Sequence, residues 1–214
     1  MSNRMVTFDA KDLSAGDGYS LLSAIVVPRP IAWITSVDQQ GRVNAAPFSC
    51  YTYVSNRPPM LAVNIGRRDG KLKDTARNLR DSDGFVVNVV PEALLEKMHR
   101  SSFDYPADVS EPEVLGLALA PSRIVPAPRL AAAPIALECK LRQILELGEQ
   151  RNELVICEIV AFNIAEEVYA NGRIDVLQFR PPGRIGGPNY ARLVDVVEMP
   201  EVSNPEDVST VLAR

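Results

Sequence analysis

The stretch that most constrains the fold runs from Pro28 to Ser49 and reads PRPIAWITSVDQQGRVNAAPFS. Ile31 to Val37 is rich in β-branched and aromatic residues, a strand composition. Asp38-Gln39-Gln40-Gly41 is turn chemistry, with Gly41 free to take a positive φ. The return segment, Val43–Pro47, closes a hairpin and is built from small residues, and Pro47 removes one backbone donor. Small side chains let another group approach main-chain N–H and C=O groups. Asn44-Ala45-Ala46-Pro47-Phe48-Ser49 therefore reads as a wall against which a flat heteroaromatic ring can be held edge on.

Further strand signals lie at Leu21–Val27, Met60–Ile65 and Phe85–Val90. Ala136–Leu145 alternates, with Leu137, Cys139 and Leu141 on one face and Glu138, Lys140 and Arg142 on the other. Leu154–Ile164 is almost continuously apolar, and Gly148-Glu149-Gln150 makes the turn of a second hairpin. Helix signals are few and short. Asp74–Ser82 opens on Asp74 as N-cap and is followed by Gly84; Glu92–Ser101 is a second helix, and a third is centred on Pro112–Leu115. Tyr105–Ala133 is a proline-rich excursion that keeps regular apolar anchors. Many antiparallel strands with few helices predict a mainly β chain closed into a barrel, not a βαβ sheet. The division expected is an N-terminal arm over 1–18, one domain over 19–198 and a C-terminal tail over 199–214.

At 46% hydrophobic and 23% charged residues, the composition is that of an ordinary globular protein. A net charge of −4 argues against a nucleic-acid or anionic-membrane binder. No apolar run is long enough to span a membrane, and the N-terminus lacks a signal-peptide h-region, so the expected location is the cytoplasm. The three cysteines, Cys50, Cys139 and Cys157, lie at no metal-ligand spacing, and there is one histidine, His99. No metal site and no histidine-dependent triad is expected.

Thr35, Ser36, Asn44, Ser49, Tyr51 and Thr52 give a row of short hydrogen-bonding groups beside backbone amides: either a ligand site or the solvent face of an ordinary hairpin. Trp33, the single tryptophan, is either core or a wall of that site. Lys71-Leu72-Lys73-Asp74-Thr75 opens a helix, whose N-terminal N–H groups and partial positive charge suit a phosphate. A plain capped helix with solvated lysines is the alternative. Arg67 and Arg68 are further phosphate candidates. Gly66–Leu72 imitates a P-loop, but it has three residues between its glycines where four are needed and Leu where Ser or Thr is needed. No G-x-G-x-x-G follows a strand. Arg184-Ile185-Gly186-Gly187-Pro188-Asn189-Tyr190 is a glycine-rich loop with one cation and one phenol. His99, at a helix end, reads as a charge partner or a solvated residue.

Taken in order, the Pro28–Ser49 string, Lys73-Asp74-Thr75-x-x-Asn78 and Arg184-x-Gly186-Gly187-x-x-Tyr190 resemble the flavin reductase-like FMN-binding proteins, whose members include flavoredoxin. The resemblance runs from about Ser20 to Val196. It implies a Greek-key split barrel that dimerises and binds FMN. It also implies FMN contacts from Trp33, Thr35, Ser36, Asn44, Ala46, Pro47, Ser49, Tyr51, Thr52, Lys73, Asp74, Thr75, Asn78, Arg184 and Tyr190. The expected activity is electron transfer from NAD(P)H to flavin or a downstream acceptor, with the flavin and no protein acid or base carrying the chemistry. The alternative is an FMN-binding electron carrier reduced by a partner protein. Pyridoxal phosphate or haem ranks behind both. One departure stands out: the strand that often ends in His in relatives ends here in Ala161-Phe162-Asn163-Ile164, and Asn163 cannot act as an acid.

Overall fold

The structure is a computed structural model that describes residues 4–199, so most of the expected C-terminal tail lies outside the described residues. Seven strands form one antiparallel sheet in the order β2-β1-β5-β8-β9-β4-β3. They are β1 (Ala32–Val37), β2 (Val43–Phe48), β3 (Tyr51–Asn56), β4 (Pro59–Ile65), β5 (Phe85–Val89), β8 (Ile135–Leu147) and β9 (Asn152–Ile164). Three two-stranded ribbons hang from it: β6 (Leu119–Ala120) with β7 (Arg129–Leu130), β10 (Tyr169–Ala170) with β11 (Arg173–Ile174), and β12 (Gly183–Arg184) with β13 (Tyr190–Ala191). The two edge strands of the sheet, β2 and β3, are joined only by Ser49-Cys50. That short link forces the edges together, so the sheet curls into a barrel with a split between them. The mainly β barrel expected from the hairpin spacings is what forms.

Alternation along β1 divides two cores. Ala32 and Ile34 point into the barrel with Phe48, Leu61, Val63, Phe85, Val87, Val155 and the free thiols Cys139 and Cys157. Ile31 and Trp33 point outward but are covered by Val90, Met98, Leu130 and Ala133. Fully burying residues of this size stabilises by about 1.5–3 kcal/mol each before entropy is charged. The covering layer comes from α3 (Leu95–Arg100) and the 105–133 excursion, within which α4 (Glu111–Val114) packs on β2. A fully buried carboxylate ties the excursion to β8. Glu138 accepts from the N–H groups of Arg123 (2.8 Å), Ile124 (2.6 Å) and Val125 (3.0 Å), and from the Asn163 amide at 2.9 Å.

Helix α2 (Asp74–Asp81) buries Thr75, Ala76, Asn78 and Leu79. Its orientation is fixed at the far end by Glu153, a fully buried carboxylate bridged by Arg80 at 2.9 Å and Arg67 at 3.2 Å. Gly84 turns the chain from α2 into β5 at φ 141°; a Cβ there would lie 2.5 Å from Val125 Cγ1, so only glycine fits.

Two expectations are corrected. Leu21–Val27 is not a strand: the chain forms helix α1 (Ala15–Ile25), capped by Ser14, whose Oγ accepts from Asp17 N at 3.1 Å. The expected boundary between arm and domain therefore falls inside a helix. The β-rich run of Leu21–Val27 misleads because a good cap and Leu21, Leu22 and Ala24 carry the segment as helix. The N-cap of α2 is Lys73, not Asp74, which is the first helical residue and pairs with Arg77. Tyr51–Asn56, for which no element was expected, is a strand paired with β4 across a bulge. No helix among the described residues is long and apolar enough to cross a membrane.

Candidate functional site

Where α2 meets β2, a cleft of about 290 Å³ opens. Asn44, Ala46, Pro47 and Phe48 of β2 form one wall, and Lys71–Thr75 with Arg68 form the second. Ser101–Tyr105, after α3, form the third. The hairpin places the first wall. Asp38 Oδ1 accepts from Gln40 N at 2.8 Å and Arg42 N at 2.9 Å, and Gly41 takes φ 82°. β2 is thereby returned in fixed register, with Asn44 opposite Ser36 and Ala46 opposite Ile34.

The second wall is cationic. Lys73 enters α2 from an extended conformation and provides no side-chain cap, so the first-turn N–H groups are left without a side-chain acceptor. Its ammonium lies 5.6 Å from the centroid of the Phe48 ring, over its face. Burial pulls the Lys73 pKa below the ordinary lysine value, Arg68 pulls it further, and Asp104 offsets part of this. Arg68 pairs with Asp104 and Arg77 with Asp74. Lys71 and Lys73 form no ion pair among the described residues.

Beneath the walls runs a chain of hydrogen bonds. Asn78 Nδ2 donates to Ser36 Oγ at 3.1 Å, and Ser36 Oγ donates to Asn44 Oδ1 at 3.5 Å. Thr75 Oγ1 donates to Asn44 Oδ1 at 2.8 Å. The Asn44 amide then donates to Glu111 Oε1 at 2.8 Å, and Ala45 N donates to Glu111 Oε2 at 3.0 Å. Glu111, the first residue of α4, is 6% exposed and lines the cleft. Burial raises its pKa, and the N–H of Ala45, its own backbone N–H and the Asn44 amide oppose the rise. Sequence reasoning did not single out Glu111. Its partner Ala45 lies 66 residues away, and the only local signal is Ser110-Glu111-Pro112 at the start of a helical turn.

The other expected residues fall in different places. Asn44, Ala46, Pro47, Lys73, Asp74 and Thr75 line this cleft; Ser36 and Asn78 lie buried under it. Thr35 is on the opposite face of β1, donating to Pro128 O at 2.6 Å and accepting from Asn88 at 3.1 Å. Trp33, on that same face, is fully buried in the outer core and its indole N–H has no partner among the described residues. Tyr51 lines a second cleft of about 460 Å³ with Pro28, Arg29, Ile31, Phe179 and Gly183, and burial pushes its phenol pKa up. Ser49 accepts from Arg29 Nε at 3.5 Å, and Thr52 is exposed on β3. Arg67 is engaged by Glu146 at 2.9 Å and Glu153 at 3.2 Å and does not line the cleft.

Arg184 and Tyr190 sit together on the β12–β13 ribbon. The Arg184 guanidinium lies 4.7 Å from the centroid of the Tyr190 ring and donates to its hydroxyl. That hydroxyl is 2.8 Å from His99 Nδ1, so the half-buried His99 is engaged by a phenol and pairs with no carboxylate among the described residues. Burial raises the Tyr190 pKa and Arg184 opposes it. This cluster meets the first cleft through Phe103, which packs edge-on to His99 at 5.7 Å. Asn163, which stands where the family resemblance leads one to expect His, is committed to Glu138. No group of three His, Cys, Asp or Glu side chains among the described residues could hold a metal ion.

A cleft with two lysines and a helix N-terminus at one end and a buried acceptor at the other suits a ligand bearing both an anion and hydrogen-bond donors. A family model described as "Flavin reductase like domain" matches residues 23–178. An uncharacterised protein of Bacillus subtilis, YwrF, is 38% identical over 195 residues, covering 88% of this chain and 95% of that one. Nitrilotriacetate monooxygenase component B from Bacillus cereus superposes with a TM-score of 0.89 at 33% identity, covering 92% of this chain and all of that one. The 2-nitrobenzoate 2-nitroreductase NbaA from Pseudomonas fluorescens gives 0.84 at 36% identity, covering 92% and 97%. The chain belongs to the flavin reductase-like family.

Proposed function

We propose that the protein is an oxidoreductase that binds FMN non-covalently in the α2–β2 cleft and passes electrons from NADH or NADPH to flavin or a further acceptor. The observation that carries this reading is the charge layout of the cleft. Lys71, Lys73, Arg68 and the open α2 N-terminus converge where a phosphomonoester can sit. Thr75 contributes indirectly, because its hydroxyl is spent on Asn44. The small wall Ala46-Pro47 leaves room for a ring to lie along β2.

Bound flavin would supply the redox chemistry itself. The chain's own residues bind and orient it. The cations hold the phosphate, Glu111 presents acceptors at the other end of the cleft, and Phe48 and Phe103 keep water from its flanks. No histidine lines the cleft, and the Glu111 carboxylate is engaged on its inner side by Asn44 and Ala45. A monooxygenase component and a nitroreductase among the similar solved structures support a redox role.

The working unit in this proposal is a homodimer. Tyr19, Leu22, Ile25 and Val26 of the α1 segment are exposed, and so are Tyr53 and Val54 on the edge strand β3. An apolar surface of this extent on one chain marks an association face.

The test is anaerobic addition of NADH or NADPH to the FMN-loaded protein with no partner protein present. Fast bleaching of the flavin bands by one nucleotide is the expected result and names the donor. Bands that persist would instead establish a carrier fed by a redox partner. A protein that never takes up FMN overturns the reading.

A further inference from the structure

We infer that Glu111 is the specificity residue of the cleft, selecting a phosphorylated ligand whose middle segment carries hydroxyl donors. The inference rests on the flavin reading and extends it to a residue that the motif segments do not contain.

The argument is one of donor and acceptor accounting. Every donor on the β2 wall at this point is consumed by the protein. The Ala45 N–H and the Asn44 amide both go to Glu111, at 3.0 and 2.8 Å. The Asn44 carbonyl already accepts from Thr75 at 2.8 Å, and the Glu111 carboxylate, an acceptor only, fixes which way the amide points. What remains free toward the cleft is acceptor capacity alone: the outer lone pairs of the Glu111 carboxylate, with no cation paired to it among the described residues. A ligand segment that brings acceptors there meets a buried negative charge, whereas one that brings hydroxyl donors completes it. Glu111 is held for that task. α4 is stapled to the same strand by Ser110 Oγ, which donates to Val43 O at 2.7 Å. The cationic end selects the phosphate and Glu111 selects the polyol chain behind it, as in a ribityl phosphate.

Glu111→Gln changes this in a defined way. The new amide would turn its N–H₂ toward the Asn44 amide or toward the Ala45 N–H, and either arrangement sets a donor against a donor and takes away an acceptor. Adding Asn44→Asp to Glu111→Gln restores the inner pairing. The amide introduced at position 111 then donates to the carboxylate introduced at position 44, which also accepts from Thr75. Ala45 N donates to the amide oxygen at position 111, and that oxygen keeps a lone pair for the cleft.

The experiment titrates wild type, Glu111→Gln and the double variant with FMN and with its 2′-, 3′- and 4′-deoxyribityl analogues, following flavin fluorescence. In the wild type, one deoxy analogue binds about tenfold more weakly than FMN. In Glu111→Gln, FMN itself weakens by a similar factor and that same analogue loses nothing further; the double variant recovers most of the FMN affinity. Losses for all three analogues that are equal in wild type and Glu111→Gln overturn the inference, because Glu111 then acts only on the fold. A double variant no better than Glu111→Gln overturns it as well. Failure of the wild type to bind FMN would be a different result, removing the flavin reading itself.

Discussion

Two glutamates, Glu111 and Glu138, are buried with no cationic partner among the described residues, and the protein treats them oppositely. Glu138 is fully enclosed and saturated by four donors, three backbone N–H groups of the excursion and the Asn163 amide. Burial alone would raise its pKa, but the donors outweigh burial and hold it below the ordinary carboxylate value. Glu111 has donors only on its inner side, and burial keeps its pKa above the ordinary value. A saturated carboxylate has nothing left to offer a ligand, so Glu138 is a structural tie. An incompletely saturated one beside a cleft carries a cost that a ligand can relieve, which marks Glu111 as functional.

The largest expected effect tests the structural half of this contrast. Glu138→Ala strands three excursion N–H groups, so the denaturation free energy should fall by about 3–5 kcal/mol. Any protein that remains folded should keep its FMN affinity. A strong loss of affinity in folded Glu138→Ala would break the distinction. Next comes the cationic wall: Lys73→Ala should weaken FMN binding by about 1–3 kcal/mol while leaving the denaturation midpoint nearly unchanged.

The two carboxylates also oppose each other in their pH dependence. Glu138 has a depressed folded pKa, so its contribution is present above the unfolded value of about 4.3 and is lost as pH falls through the folded pKa. Glu111 has a raised folded pKa, so the folded state binds its proton more tightly, and stability declines as pH rises from about 4.3 through that folded value. A denaturation series from acid to neutral pH should show both limbs. Glu111→Gln should abolish the upper one and leave the lower one intact. The smallest effect sharpens the comparison further: Asn163→Ala removes one of four donors, which should cost about 1 kcal/mol and move the acid limb to higher pH.

What was legible in the sequence follows the same division between local and distant interactions. The hairpin β1–β2 and the start of α2 are short-range patterns, and they brought Asn44, Ala46, Pro47, Lys73, Asp74 and Thr75 to one cleft. Strand alternation separates Thr35 and Trp33 from Ser36, although all three stand in one run; the period of two places them on opposite faces. Tyr51 and Thr52 were displaced because Ser49-Cys50 turns the chain into a new strand across the barrel's split. Glu111 and the partner of Asn163 were invisible, since each is defined by a hydrogen bond between segments 25 or more residues apart. The strand expected at Leu21–Val27 failed for a local reason: an apolar β-rich run can be helix when a serine cap precedes it.

The most direct measurement of the central claim is a fluorescence titration of FMN against the wild-type protein and Lys73→Ala side by side. Saturable quenching in the wild type, with clearly weaker binding in a Lys73→Ala protein that melts normally, is the result this account predicts. Absence of binding in the wild type, or equal affinity in the two proteins, would contradict it and move the ligand away from the α2 N-terminus.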